Sequence, residues 1–169
     1  MARYRRIIAD SFVDGPRPFT DNRPCAIPSG NRDTDAGIIP GTALIIGADR
    51  PASRELRVHG GPTRTFARAG ANESGVIYIA DLDSLASRDM YDAWAFNAIT
   101  GIMLDPRFAL NVLVPTGVSV TKGMGLTTNA QGWFVPAGGG QRVILTADET
   151  YNNNTGVYQH VRCRPHTEN

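Results

Sequence analysis

GVSVTKGMGLTTNAQGWFVPAGGGQRVILTADET, residues 117–150, is the stretch that decides the fold. Short apolar runs at Val118–Val120, Met124–Thr128, Trp133–Val135 and Val143–Leu145 are parted by turns at Lys122–Gly123, Asn129–Gly132 and Gly138–Gly140. Glycine reaches backbone conformations that other residues avoid, so this spacing predicts successive β-hairpins. The stretch reads as a β surface without an assembled catalytic centre, and the chain is not expected to be an enzyme.

Working outward, strands are predicted at Thr42–Gly47, Glu55–His59, Thr63–Ala67, Gly75–Ala80 and Phe108–Pro115, with polar turns at Asp49–Pro51 and Gly60–Pro62. A last strand is expected over Gly156–Cys163, with Val157, Gln159, Val161 and Cys163 on one face and Tyr158, His160 and Arg162 on the other. One helix is predicted from Ser84 to Ile99. Asp83 or Ser84 would cap it, Gly101 would end it, and Met90, Trp94 and Ala98 would form one apolar face. Residues 1–41 hold five prolines, which remove backbone donors and bias the preceding residue away from helix, so they read as an extended N-terminal arm. Phe12, Val13, Phe19, Ile27, Ile38 and Ile39 would anchor the arm on its own core or on a neighbouring subunit. The expectation is a mainly β fold, a small β-barrel or β-sandwich with one inserted short helix, made of the arm (1–41) and a β-rich domain (42–169).

The chain has 169 residues, 41% of them hydrophobic and 20% charged, which suits a single folded domain. Eighteen glycines and eleven prolines favour many short elements. One lysine, Lys122, stands against sixteen arginines, and arginine suits polar interfaces. Arg3, Arg5 and Arg6 are candidates for contact with an acidic partner surface, but no continuous basic stripe follows them and no specific nucleic-acid binding is expected. No apolar run approaches the roughly 20 residues that span a bilayer. The first fifteen residues have too short an apolar core for a secretory signal, so no membrane partner is expected.

The chemical motifs have plain alternatives. Gly60–Gly61 beside His59, with Ser74 or Ser119, does not form a G-x-S-x-G elbow. His160, Cys163 and His166 are spaced by threes, yet in a strand His160 and Cys163 face opposite ways, so no metal is expected. Cys25 and Cys163 read as free structural thiols, with a disulfide between them or a metal or reactive role as the alternatives. Asp83, Asp89 and Asp92 read as caps and solvated charges, and the glycine clusters lack the Lys-Ser/Thr or third glycine of a phosphate or dinucleotide loop, so no cofactor is expected. Asn72-Glu73-Ser74 and Asn153-Asn154-Thr155 match the glycosylation triplet, which needs a secretory route. Trp133 belongs to a core or a protein contact, while Tyr158, His160, Arg162 and Arg164 form a polar strand edge or contact patch.

The run Gly117-Val118-Ser119-Val120, Lys122-Gly123, Leu126-Thr127-Thr128-Asn129, Gly132 and Ala147-Asp148-Glu149-Thr150 resembles the decoration, or cement, proteins of tailed-bacteriophage capsids. In that family a strand precedes a K-x-G or A-x-G turn, a threonine-bearing strand meets an N/D-G turn, and a later strand returns toward an alanine. Here Gly123 follows Lys122 directly, Ala130–Gln131 lengthens the central turn, and the arm and helix are additional. The likeness covers about a quarter of the chain. It implies a structural virion protein on the outer capsid surface, assembled in the host cytoplasm, bound to the major capsid protein at a symmetry axis, commonly as a trimer. Alternatives are a minor capsid, fibre-base or tail protein, a carbohydrate-binding module using Trp133, Tyr151 or Tyr158, and a small hydrolase with a pocketed nucleophile or carboxylate pair.

Overall fold

The computed structural model describes residues 6–9, 18–24, 38–50, 63–82 and 98–167. Among these residues the chain forms β1 (Thr20–Pro24), β2 (Ala43–Arg50), β3 (Thr63–Arg68), β4 (Tyr78–Ala80) and β5 (Ala98–Met103). It continues through β6 (Leu110–Val114), β7 (Ser119–Val120), β8 (Gly125–Thr128), β9 (Phe134–Pro136), β10 (Leu145–Ala147), β11 (Tyr151–Asn152) and β12 (Gln159–Pro165). One five-stranded sheet has the order β1-β5-β4-β2-β3, a second has the order β6-β12-β10-β8-β9, and β7 pairs with β11 in a small ribbon. All the pairings are antiparallel.

The inner strands of the first sheet, β2, β4 and β5, contribute to cores on both faces, which suits their apolar runs. Side chains alternate across a strand. Leu44 of β2 therefore joins Phe66, Tyr78, Ala80 and Ile99 in one core, with Ile46 packed against it. Ala43 enters a second core with Ile79 and Ile102, and Ile45 packs against that one. Around the first core the sheet curls until its outer strands, β1 and β3, come within 8 Å of each other between Cα atoms. Phe66 reaches across the curl to β5, where a Cβ on Gly101 would lie 2.7 Å from its ring. The glycine expected to end a helix instead makes room for that ring.

The second core belongs to both sheets. Leu110, Val112, Val114, Leu126, Phe134, Leu145, Val161 and Cys163 of the second sheet meet Ala43, Ile79 and Ile102 there. The hairpin turn joining β8 to β9 docks directly onto β2, with the Ala43 N–H donating to the Gly132 carbonyl at 2.8 Å. Asn129 shapes this turn by accepting the N–H groups of Gln131 and Trp133 on its side-chain oxygen at 2.9 and 3.0 Å. Gly132 has φ +72, and a Cβ there would sit 2.8 Å from the Ala43 carbonyl oxygen. A short loop completes the seam: the Asn72 N–H donates to the Thr128 carbonyl at 2.8 Å, and the Thr128 hydroxyl donates to the Gly70 carbonyl at 2.7 Å.

Two expectations are corrected. No helix occurs among the described residues; Ile99 lies inside β5, and residues 83–97 fall outside the description. Ala98 to Ile102 pair with β1, so the backbone donors and acceptors of this segment serve a ladder. Neither sheet closes into a barrel. Pro24 leaves β1 without one ladder donor. In the second sheet the outer edge of β6 is already occupied: the Asn111 N–H donates to the Ile7 carbonyl at 2.7 Å and the Leu113 N–H to the Gly41 carbonyl at 3.1 Å. An occupied edge protects the sheet from pairing with another chain and also from closing on itself.

The strands expected near residues 42, 63, 75, 108, 118, 124, 133, 143 and 156 correspond to β2, β3, β4, β6, β7, β8, β9, β10 and β12, with ends shifted by a few residues. The turn expected at Asp49–Arg50 is strand, because β2 continues to Arg50 through a register shift between Ile46 and Asp49. The predicted Glu55–His59 strand, with the Gly60–Gly61 motif, lies outside the described residues.

Replacing Gly132 with alanine combines a left-handed backbone with a backbone collision, and is expected to cost about 2–4 kcal/mol in urea unfolding. Gly139→Ala, where an added Cβ meets nothing within 4 Å, should stay within about 0.5 kcal/mol of wild type. Equal midpoints for the two variants would contradict the role given to the turn.

Candidate functional site

Among the described residues the anticipated contact residues lie in separate places. Arg3, Arg5 and Phe12 lie outside the described residues. Arg6 is exposed, and its carbonyl accepts the Asn111 side-chain amide at 2.8 Å. This anchors the segment Arg6–Ala9 along β6 and places Ile7 in the shared core. His160 is wholly buried, its Nε2–H donating to the Pro40 carbonyl at 2.8 Å, so it supports the interior and not a surface patch. Trp133 and Tyr158 are half-buried against each other, with ring centroids 5.8 Å apart and planes tilted by 48°. Each ring packs on the other, which is a poor geometry for two parallel sugar platforms.

Arg162 and Arg164 point from β12 to the side opposite Val161 and Cys163, as the two-residue alternation requires. Both approach one oxygen of Asp148, at 3.2 and 3.6 Å, and the Arg162 N–H donates to Glu149 at 2.7 Å. On the inner side the Cys163 thiol is free and buried. Burial, and then the nearby Glu149 and Asp148 charges, push its pKa well above the usual thiol range, so it stays protonated at neutral pH. His166 is exposed and bonded through Nδ1 to the Thr146 hydroxyl at 3.1 Å, so His160, Cys163 and His166 do not converge. Among the described residues no three His, Cys, Asp or Glu side chains gather as metal ligands. The Ser119 hydroxyl bonds Asn152 at 2.7 Å, and Ser74 lies on an exposed loop. The Asn153 side-chain nitrogen donates to the Pro115 and Val157 carbonyls at 2.9 Å, which occupies the atom that glycosylation would need.

The surface feature that does assemble is apolar. Phe19 is 63% exposed, Val76 59% and Met103 40%. The Met103 N–H donates to the Phe19 carbonyl at 2.9 Å, placing these residues opposite each other where β5 continues beside β1. Met103 pairs on its other side with Tyr78 of β4, and Val76 precedes that strand by two residues. Val76 and Met103 line one open depression of about 360 Å³, rimmed by Ser74 and Arg142. Three neighbouring chain segments thus present large apolar side chains at one end of the curled sheet. Sequence reading singles out Phe19 alone: Val76 lies in an expected strand, and Met103 lies just beyond the expected helix and its Gly101 terminator.

Glu73 fixes the loop that presents Val76. Its carboxylate accepts the N–H groups of Gly70, Ser74 and Gly75 at 3.2, 3.0 and 3.1 Å. Arg142 donates to the Glu73 and Gly75 carbonyls at 3.3 and 2.9 Å. These backbone donors, Gly75 first, hold the Glu73 pKa below its ordinary value, and the Arg142 charge adds to the effect.

No family model matches the chain. No curated protein matches it either.

A carboxylate with a lowered folded-state pKa contributes stability above its unfolded value, about 4.3 for Glu, and loses that contribution as pH falls toward the folded value. Thermal melts of wild type and Glu73→Gln at pH 7 and in steps down to pH 3 should therefore diverge at neutral pH and converge on acidification. Parallel curves over that range would show that Glu73 carries none of the acid sensitivity.

Proposed function

We propose that this chain is a structural virion protein that binds the outer capsid surface and stabilises the shell. The observation that supports this reading best is the exposed row of Phe19, Val76 and Met103 beside a polar rim. Contiguous exposed apolar groups with a polar border are the usual form of a protein contact. Burying one such side chain contributes about 1.5–3 kcal/mol, so three of them give a contact worth repeating around a symmetric shell. The hairpin series of residues 117–150, with positive φ at Gly117, Gly123, Gly132 and Gly140, agrees with the turn pattern on which the resemblance to decoration proteins rests. In this reading the partner is the major capsid protein, and the bound form is a closed oligomer, a trimer by analogy with the family.

Co-sedimentation with purified capsids tests the proposal. Occupancy should saturate at a symmetry-related copy number, and Phe19→Ser with Met103→Ser should reduce it at least tenfold while leaving the melting temperature within a few degrees. Absence of binding to both immature and expanded shells would overturn the function. Saturable binding that survives the double substitution would instead overturn the assignment of the contact row.

A further inference from the structure

A second surface feature stands apart from the apolar row. An open groove of about 430 Å³ runs past the ends of β10 and β12, lined by Lys122, Thr146, Asp148, Arg164 and His166, with Pro106 at its border. Lys122 is the only lysine in the chain. Its backbone N–H is held by the Thr150 hydroxyl at 3.0 Å, fixing the turn, but its ammonium has no ion pair or hydrogen bond among the described residues. Gly123, the next residue and also part of the lining, has φ +87 and nothing within 4 Å of an added Cβ. Across the groove Arg164 shares the Asp148 carboxylate with Arg162. The lining itself carries two cations, Lys122 and Arg164, and one carboxylate, Asp148. His166 adds an imidazole oriented by Thr146.

We propose that this groove is an anion-binding site for a small group with at least two anionic oxygens, either a phosphate or a pair of carboxylates. Lys122 would supply the unshared charge, and Arg164 would supply guanidinium donors that Asp148 holds in place. The imidazole of His166 and the Thr167 hydroxyl, both at the same lip, are further donors of suitable reach. A volume of this size admits such a group together with bridging water. The site does not depend on the capsid reading, since it concerns a ligand taken up by the free protein.

The test is a titration of the full-length, nitrogen-15-labelled chain followed by amide resonances at constant ionic strength. Inorganic phosphate and glutarate form two arms, and sodium chloride is the third. Saturable shifts confined to Gly123, Ala147, Arg164 and His166 with phosphate or glutarate are expected, and the tighter arm identifies the source of the anion. Lys122→Met should weaken that binding about tenfold or more, as should Arg164→Met, while Arg23→Met, on β1 of the other sheet, should leave it unchanged. The amide spectrum itself reports whether each variant is folded. Shifts that are unsaturable or equal in chloride, or affinity that persists in folded Lys122→Met, would overturn the site.

Discussion

Ala43 is the residue through which the two sheets become one body. Its N–H donates to the Gly132 carbonyl at 2.8 Å, its carbonyl accepts the Ala69 N–H at 3.0 Å, and its side chain is fully buried in the shared core. A buried amide left without a partner costs as much as several favourable contacts provide, so the turn, the strand and the loop after β3 are constrained together. The β8–β9 turn must bring a glycine to this point because its backbone and that of β2 lie too close for a side chain. The loop from Ala69 to Gly75 is then set against β8 by Asn72 and Thr128. That loop ends by presenting Val76, so the geometry of the exposed apolar row follows from the seam between the sheets.

Strand edges are handled by the same economy of backbone groups. The free side of β6 is covered by Arg6–Ala9 and by the Pro40–Gly41 turn, and buried His160 ties that turn down through the Pro40 carbonyl. Both sheets curl enough for their outer strands to approach, β1 to β3 and β6 to β9, without joining in a ladder. Surface chemistry is left to the ends of the strands. One such place offers apolar area, and the groove beside Lys122 offers positive charge.

Much of this was legible from residue order. Alternation of polar and apolar groups marked β12, and glycine turns marked the hairpins from residue 117 onward, because both signals are local. The strands that escaped were those whose partners decide their state. Thr20–Pro24 is polar and ends in proline, so only its ladder with β5 makes it a strand. Ala98–Met103 carried a plausible helix terminator in Gly101, a reading overturned by an aromatic ring arriving from β3. His160 alternated onto the polar face of β12 as expected, yet a turn about 120 residues earlier covers that face. Phe19 was found through its type, whereas Val76 lay in an expected strand and Met103 in no expected element, because nothing local says where a sheet ends.

Native-state hydrogen exchange tests most directly the claim that the two sheets are a single cooperative unit. The amides of Ala43, Ala69 and Asn72, which form the seam, should exchange with opening free energies within about 1 kcal/mol of the Val112 and Val161 amides in the second sheet. Seam amides that open several kcal/mol more easily, leaving the second sheet protected, would contradict the account.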